Sequence, residues 1–249
     1  MSMNSQPLNG KKVIVAGGSR GIGKEVVLEL AKQGAHVLFT YVGNEKEALA
    51  TEAAAKAIHP YVKAMKADIG NRAEMNQVFD FVPKNFGGSP DIFIAIAFPR
   101  SIFMPTTLMT EEGYDSMFAA VRGYYFTLQK AAQSLTNGGK IIVYSSGAAS
   151  MPTPAGGAYG GAKAAIEKFA LSLSKEVGPQ KITVNVVSPG VTQTEGLVAP
   201  KEMIDMLVTQ TPLGRLGTVA DVAKATVHLC MPEMDWVNGQ VIQVNGGIL

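Results

Sequence analysis

Residues 12–23 read KVIVAGGSRGIG, and this stretch decides the fold. Its first part, Lys12 to Ala16, is rich in β-branched residues and predicts a buried strand. The glycines that follow predict a tight turn, and a helical pattern begins at Gly21. A buried strand that leads through a glycine turn into a helix is typical of the first unit of an α/β fold with a parallel sheet.

The same alternation of apolar runs and helical patterns continues to the end of the chain. Further strands are predicted at His36 to Tyr41, Tyr61 to Lys66, Asp91 to Ala97, Lys140 to Ser145, Ile182 to Val187 and Gln240 to Val244. Further helices are predicted at Glu45 to Ala57, Asn71 to Lys84, Glu112 to Leu135, Ala158 to Val177 and Val219 to Cys230. Strands that alternate with helices are joined by right-handed crossovers, which predicts a doubly wound, parallel seven-stranded sheet with helices on both faces.

Nothing between Lys11 and Asn245 has the composition of a linker, so residues 1–249 are predicted to form a single domain. The alternation falters only between about residues 190 and 213, where Thr, Gln, Pro and Gly surround a possible short helix, Pro200 to Val208. Ligands of such sheets bind in loops beyond the carboxyl ends of the strands. We therefore expect this segment to be a substrate lid.

The composition limits the classes of partner and the location. The 249 residues are 47% hydrophobic and 17% charged, and the net charge of +2 gives no reason to expect nucleic acid or an anionic membrane as the main partner. The longest apolar runs are far shorter than the ~20 residues that cross a bilayer. The single cysteine, Cys230, cannot form an intrachain disulfide, and the first residues lack the apolar core of a signal peptide. A cytoplasmic location is expected.

The glycine turn is a candidate dinucleotide site. Glycines at 17, 21 and 23 allow a close approach to a pyrophosphate, and the start of the next helix offers free N–H groups and the positive end of its dipole. An ordinary turn between a strand and a helix can have the same composition. Its place after the first strand of an α/β chain favours the dinucleotide.

The end of the second strand bears on the choice of cofactor. An acidic side chain there would hold the ribose hydroxyls of NAD, but this chain has Thr40-Tyr41-Val42 and no carboxylate before Glu45. Arg20 can offer its guanidinium to a 2′-phosphate, although it is equally suited to being a solvated surface charge. NADP(H) is therefore favoured over NAD(H). Asp68, after the third strand, is either an adenine contact or a turn residue.

Three side chains form a candidate catalytic group. Tyr159 and Lys163 are four residues apart on a predicted helix and share one face, where an ammonium stabilises a phenolate. Ser146 lies at the end of the fifth predicted strand, so the three can converge at the carboxyl edge of the sheet. Taken singly, the tyrosine and lysine would suit a surface pair, and the serine a turn.

Together these motifs resemble the short-chain dehydrogenase/reductases, in particular the branch of 3-oxoacyl-acyl-carrier-protein reductases. The resemblance spans Lys12 to Gly247 and includes the glycine turn, Ser146, Tyr159-x-x-x-Lys163, the NVVSPG motif at 185–190 and the tail at 239–247. It implies a Rossmann fold that binds NAD(P), with Tyr159 as general acid or base and Ser146 orienting a carbonyl. Lys163 would hold the nicotinamide ribose and assist Tyr159.

The same resemblance implies the other site residues. The cofactor contacts would be Gly17, Ser19, Arg20, Gly21, Ile22, Gly23, Tyr41, Asp68, Ile69, Ala95, Ala97, Tyr159, Lys163, Pro189, Gly190, Val191 and Thr194. The substrate contacts would be Phe98, Ser146, Met151 and Tyr159, within a lining drawn from 98–105, 151–155 and 194–207. No metal site is expected, because the histidines (His36, His59 and His228) are scattered over different elements.

Two positions depart from the family pattern. The family usually has Asn-Asn-Ala-Gly after the fourth strand, whereas this chain has Ala95-Ile96-Ala97-Phe98. A similar Ile-Ala-Phe run occurs in enoyl-acyl-carrier-protein reductases, but their tyrosine precedes the lysine by seven residues, and Gly156 occupies that position here. In addition, Ala120 replaces an Asn that helps to hold a water in the proton path.

Two functions remain open on the sequence alone. The first is an NADPH-dependent reductase that converts an apolar ketone or aldehyde to an alcohol, and the second is a dinucleotide-binding regulatory or scaffold subunit with impaired catalysis. Ser146, Tyr159 and Lys163 favour the first, whereas Phe98 and Ala120 favour the second. Members of this family commonly pair their long helices into dimers and tetramers, so the resemblance implies a homotetramer, with a homodimer as the second choice. The apolar residues on the two longest helices can pack either within one copy or between copies.

Overall fold

The structure, a computed structural model, describes residues 6–99, 102–197 and 199–248. Two predicted segments therefore contain positions that lie outside the described residues. They are the pocket segment at 98–105, which includes positions 100 and 101, and the lid at 190–213, which includes position 198.

The described residues contain one large parallel sheet. The strands are β1 (Lys12–Ala16), β2 (His36–Tyr41), β3 (Val62–Lys66), β4 (Ile92–Ala95), β5 (Lys140–Tyr144), β6 (Thr183–Pro189), β7 (Thr192–Gln193), β8 (Gly217–Thr218) and β9 (Val241–Val244). Seven of them pair in the order β3-β2-β1-β4-β5-β6-β9, all parallel, which confirms the predicted sheet. The strands β7 and β8 form a separate pair that was not predicted.

Helices cover both faces of the sheet. They are α1 (Gly21–Lys32), α2 (Glu45–Lys56), α3 (Arg72–Val82), α4 (Glu111–Ser134), α5 (Gly157–Glu176), α6 (Lys201–Gln210) and α7 (Val219–Leu229). Successive residues of a strand point to opposite faces. In β1, Val13 and Val15 join the core under α1, α2 and α7, whereas Ile14 and Ala16 join the core under α3, α4 and α5.

The strand β4 ends at Ala95, two residues earlier than predicted. The reason is a change in hydrogen bonding, because the N–H groups of Ile96 and Ala97 both donate to the carbonyl of Ala16, at 3.0 and 2.8 Å. The chain therefore leaves the regular ladder at this point. This places Phe98 beyond the carboxyl edge of the sheet.

The order in which successive strands are added to the sheet reverses between β1 and β4, which lie side by side and parallel. The chain moves outward from β1 to β3 on one side and from β4 to β9 on the other. A reversal of this kind leaves a crevice beyond the carboxyl ends of the central strands. No helix in the described part of the chain has the length and apolar character needed to cross a membrane.

Candidate active site

The turn between β1 and α1 is packed tightly against neighbouring strands. A Cβ added at Gly18 would lie 2.6 Å from the side chain of Phe39, and one at Gly23 would lie 1.9 Å from the carbonyl of Gly17. Gly17 itself has a φ of +93°, and its amide N–H donates to the hydroxyl of Thr40. Side chains at these positions would push the turn away from the sheet, so the glycines keep it close to the crevice.

The first turn of α1 is open to a ligand. Asn44, Asn71, Thr110 and Thr218 cap four other helices with their side chains. The residue at the corresponding position of α1, Arg20, makes no capping hydrogen bond with its side chain among the described residues. The free N–H groups and the dipole of α1 fit a pyrophosphate, and they face a turn that is already shaped by glycines.

A cavity of about 670 Å³ lies beside this turn. It is bounded by the ends of β1, β2 and β3, by the segment after β4, and by α4. The predicted cofactor residues on its wall are Gly17, Arg20, Tyr41, Asp68, Ile69 and Ala97. Its volume and its position next to α1 fit the adenosine and pyrophosphate portion of a dinucleotide.

The adenosine end of this cavity contains one exposed cation. Arg20 is exposed and forms no ion pair among the described residues, and Val42 beside it is 51% exposed. Tyr41 is buried, and its hydroxyl donates to the carboxylate of Glu45 at 3.3 Å. Asp68 is a turn residue, because its carboxylate accepts the N–H of Gly70, and it also lines the cavity. Its contact with adenine stays a prediction.

A second cavity, of about 500 Å³, lies at the carboxyl ends of β5 and β6. Its wall is mostly apolar and includes Phe103, Met151, Leu197, Leu207 and Ile248. The predicted residues Ser146, Tyr159, Pro189, Gly190, Val191 and Thr194 also line it. The sequence did not single out Phe103 and Ile248 individually, because an apolar residue in a loop gives no signal of the direction in which it points.

Ser146 and Tyr159 reach the second cavity from different elements. Ser146 follows β5, and its hydroxyl accepts the N–H of Ala148 at 3.3 Å. Tyr159 lies in the first turn of α5, and its ring is 5.2 Å from that of Phe103, centroid to centroid. The structure thus brings the predicted hydroxyl and phenol to one apolar cavity, where both can meet a carbonyl group.

Lys163 lies one helical turn beyond Tyr159 and is only 3% exposed. Its Nζ donates to the carbonyl of Tyr144 at 3.2 Å. Burial lowers the pKa of Lys163 to about 7, and the negative charge of Glu167 opposes this shift. Near neutral pH, a small change in surroundings can therefore change the charge of this side chain.

Phe98 does not line the second cavity, and its contact with the substrate stays a prediction. It borders the first cavity, and its ring lies 4.1 Å from the Nζ of Lys163. Its direction follows from the early end of β4. Tyr124, which the sequence analysis did not single out, lies behind the same ammonium with its ring centroid at 5.9 Å. The sequence did contain a signal for Tyr124, because Tyr124 lies one helical turn after Ala120 and on the same face of the helix.

Several predicted cofactor residues do not border either cavity. Ala95 is fully buried in β4, and its carbonyl accepts the hydroxyl of Tyr124 at 3.3 Å. Lys163, which was expected to hold the nicotinamide ribose, is also absent from both walls. The others are Ser19, Gly21, Ile22 and Gly23. These four belong to the turn and the start of α1, so any role in binding would come from backbone groups and local shape. Among the described residues, no group of three or more His, Cys, Asp or Glu side chains is arranged to hold a metal ion.

Comparisons with known proteins agree with this fold. A family model described as enoyl-(acyl carrier protein) reductase matches residues 16–249. A hydroxynaphthalene reductase-like protein from Metarhizium robertsii is 37% identical over 96% of this chain and 95% of its own length.

Solved structures of known proteins have the same fold as this chain. A short-chain dehydrogenase/reductase from Serratia marcescens has a TM-score of 0.92 at 32% identity, covering 97% of this chain and 99% of its own. An angucycline C-6 ketoreductase, LanV, solved with bound NADP, has a TM-score of 0.91 at 28% identity, covering 98% of this chain and 97% of its own.

Proposed function

Because the chain belongs to the short-chain dehydrogenase/reductase family, and is thus an NAD(P)-dependent oxidoreductase, we propose that it reduces a ketone or aldehyde to an alcohol with NADPH. The observation that carries this proposal is the convergence of Ser146 and Tyr159 on one apolar cavity, with the buried Lys163 one turn behind Tyr159. These groups suit the transfer of a proton to a carbonyl oxygen.

Each of the three side chains has a separate task in this mechanism. When bound, NADPH supplies the hydride. The Ser146 hydroxyl donates a hydrogen bond to the substrate carbonyl oxygen and fixes its position, while the Tyr159 hydroxyl gives its proton to the same oxygen. The ammonium of Lys163 stabilises the phenolate that forms. In the opposite direction, Tyr159 accepts the proton of the alcohol.

Carbonyl reduction is favoured over enoyl reduction by the position of the tyrosine. Tyr159 is four residues before Lys163, and the position seven residues before it is Gly156, the residue that precedes α5. Two similar proteins, a hydroxynaphthalene reductase-like protein and an angucycline ketoreductase, also support carbonyl chemistry. The apolar wall of the second cavity supports an apolar substrate, such as an aryl ketone.

The preference for NADPH rests on the end of β2. The end of this strand has no carboxylate, the nearby Glu45 accepts the hydroxyl of Tyr41, and Arg20 is exposed on the wall of the first cavity. A similar dehydrogenase from Burkholderia cenocepacia, 30% identical, was also solved with NADP. At the end of β2, a 2′-phosphate would thus meet a cation and no repelling carboxylate.

The proposal extends to the organisation of the protein. We take residues 1–249 as one NAD(P)-binding domain in which the segment at about 190–213 closes over the substrate. Thr194, Leu197 and Leu207 of this segment line the second cavity, which supports a lid. We place the protein in the cytoplasm, consistent with its single cysteine, and expect a homotetramer or, failing that, a homodimer.

The experiment that tests the function is the replacement Tyr159→Phe. It removes the proton donor and keeps the ring, so kcat for ketone reduction should fall by roughly a thousandfold while NADPH binding stays nearly constant. Tyr61→Phe is the matched control, because Tyr61 lies before β3, at the amino edge of the sheet. NADPH oxidation is followed with aryl ketones, alkyl ketones and an enoyl thioester. Retained ketone reduction in Tyr159→Phe would disprove the mechanism.

A further inference from the structure

Phe98 contacts two of the three side chains to which the proposed function assigns the proton transfer. We infer that it is a positioning residue, which holds the ammonium of Lys163 in place with the face of its ring. The inference rests on the proposed function, since it concerns the same reaction. It assigns a role to a position at which the chain departs from the family pattern.

The contact between Phe98 and Lys163 has the geometry of a cation–π interaction. The Nζ lies 4.1 Å from the ring centroid, well inside the limit of about 6 Å for this interaction. Because Lys163 is 3% exposed, little water competes for the charge. An aromatic face attracts a cation more strongly when the pair is desolvated.

The other groups around Lys163 give its charge little compensation. The carbonyl of Tyr144, at the end of β5, is the single hydrogen-bond acceptor of its Nζ among the described residues. On α4, Tyr124 presents a second ring and Ala120 has no polar side-chain atom. On α5, Tyr159 precedes it by one turn and Glu167 follows by one turn. Lys163 makes no ion pair with Glu167 or any other carboxylate of the described residues.

The ring of Phe98 therefore favours the charged form of Lys163. Burial disfavours the charged lysine and lowers its pKa, whereas the negative face of an aromatic ring favours the charged form. Ala120 and Phe98 border the same cavity, so the small residue leaves room where a larger polar one would compete with the ring. The aromatic face takes the place of an amide and its bound water.

The same ring also contacts Tyr159. The two ring centroids are 5.8 Å apart, with an angle of 73° between the planes, which is an edge-to-face contact. One side chain thus fixes the spacing between the proton donor and the ammonium. A change at Phe98 should alter kcat more than the KM for the ketone, because Phe98 does not line the second cavity.

Stepwise fluorination of Phe98 tests the role of the ring face. Replacement by 4-fluoro-, 3,5-difluoro- and 3,4,5-trifluorophenylalanine changes the size of the ring little and weakens its negative face at each step. We expect kcat to fall at each step, by roughly tenfold in total. We also expect the basic limb of the kcat–pH profile to move to lower pH, because a weaker face lets the ammonium lose its proton sooner. The same series at Phe93, a buried residue of β4, should change neither.

A second set of variants separates the ring face from its bulk. Phe98→Leu keeps an apolar side chain but removes the face, and should lower kcat at least tenfold, while Phe98→Tyr should recover most of that loss. The inference would be overturned if fluorination of Phe98 left kcat unchanged, or if it changed kcat equally at Phe98 and Phe93. If Tyr159→Phe and Lys163→Ala abolish turnover while the Phe98 series is flat, this inference alone fails. If both of those variants keep turnover, the proposed function fails.

Discussion

At the scale of single residues, Lys163 is the side chain at which catalysis and stability conflict. The proposed reaction needs an ammonium, but burial holds its pKa at about 7, against 10.5 in an exposed lysine. At pH 6, the folded protein thus contains a buried charge whose desolvation is only partly offset by a carbonyl and two rings. Buried charges of this kind reduce the free energy of unfolding and are retained where function needs them.

Replacing Lys163 with Met should therefore stabilise the protein in a pH-dependent way. The lowered pKa means that the unfolded chain binds more protons between pH 7 and 10.5, so the wild-type free energy of unfolding rises across this window. Lys163→Met removes the buried charge and should raise the thermal midpoint by about 5 °C at pH 6, with the gain vanishing near pH 10.5. Lys175→Met, at an exposed position of α5 that does not line the cavity between α4 and α5, is the control. An equal gain at both pH values would show that the charge is not the cause.

At the scale of elements, we expect the connection between β2 and α2 to control the choice of cofactor. Tyr41 is buried and bonded to Glu45, so a substitution there would disturb the core. Val42 is 51% exposed and borders the same cavity as Arg20. We therefore expect Val42 to be a position at which a new charge can face the 2′-phosphate without repacking the sheet.

Two variants that place opposite charges at position 42 test this assignment. Val42→Arg should tighten NADPH binding by roughly tenfold, and Val42→Asp should weaken it by a similar factor while NADH binding changes little. Val42→Asn, which is polar and uncharged, is the control. Arg20→Ala should narrow the preference for NADPH over NADH. Isothermal titration measures all of these, and stronger binding of NADH than NADPH by the unmodified protein would contradict the argument.

The helices and strands could be predicted from the sequence because the patterns that indicate them lie within short stretches of the chain. The apolar run of β1, the glycine turn and the helical spacing of Tyr159 and Lys163 each lie within a few residues, and the structure agrees with them. The direction of Phe98 was not predictable. It depends on two N–H groups that share the carbonyl of Ala16, a contact between segments about 80 residues apart. The walls of the cavities likewise come from loops whose contacts are made only in the folded chain.

At the scale of the whole molecule, the topology of the sheet places both cavities at its carboxyl edge. The first borders β1, β2 and β3, and the second borders β5 and β6, with Phe98 and Lys163 between the two groups of strands. The outer face of α4 and α5 remains open. A surface cavity of about 580 Å³ there is lined by apolar and polar side chains in similar number, and the apolar ones include Tyr125, Leu128, Phe169 and Leu173.

This outer face is where we expect the copies of the chain to associate. Tyr125 is 50% exposed, and its ring is 5.1 Å from that of Phe169, so a partner copy could cover apolar surface from both helices. Light scattering at micromolar concentration should give four times the mass of the chain, and Phe169→Glu should reduce it, because a carboxylate would be buried without a partner. Leu49→Glu, on the exposed side of α2, should leave the mass unchanged. A monomeric wild-type protein would refute the prediction, and an unchanged mass in Phe169→Glu would exclude this face.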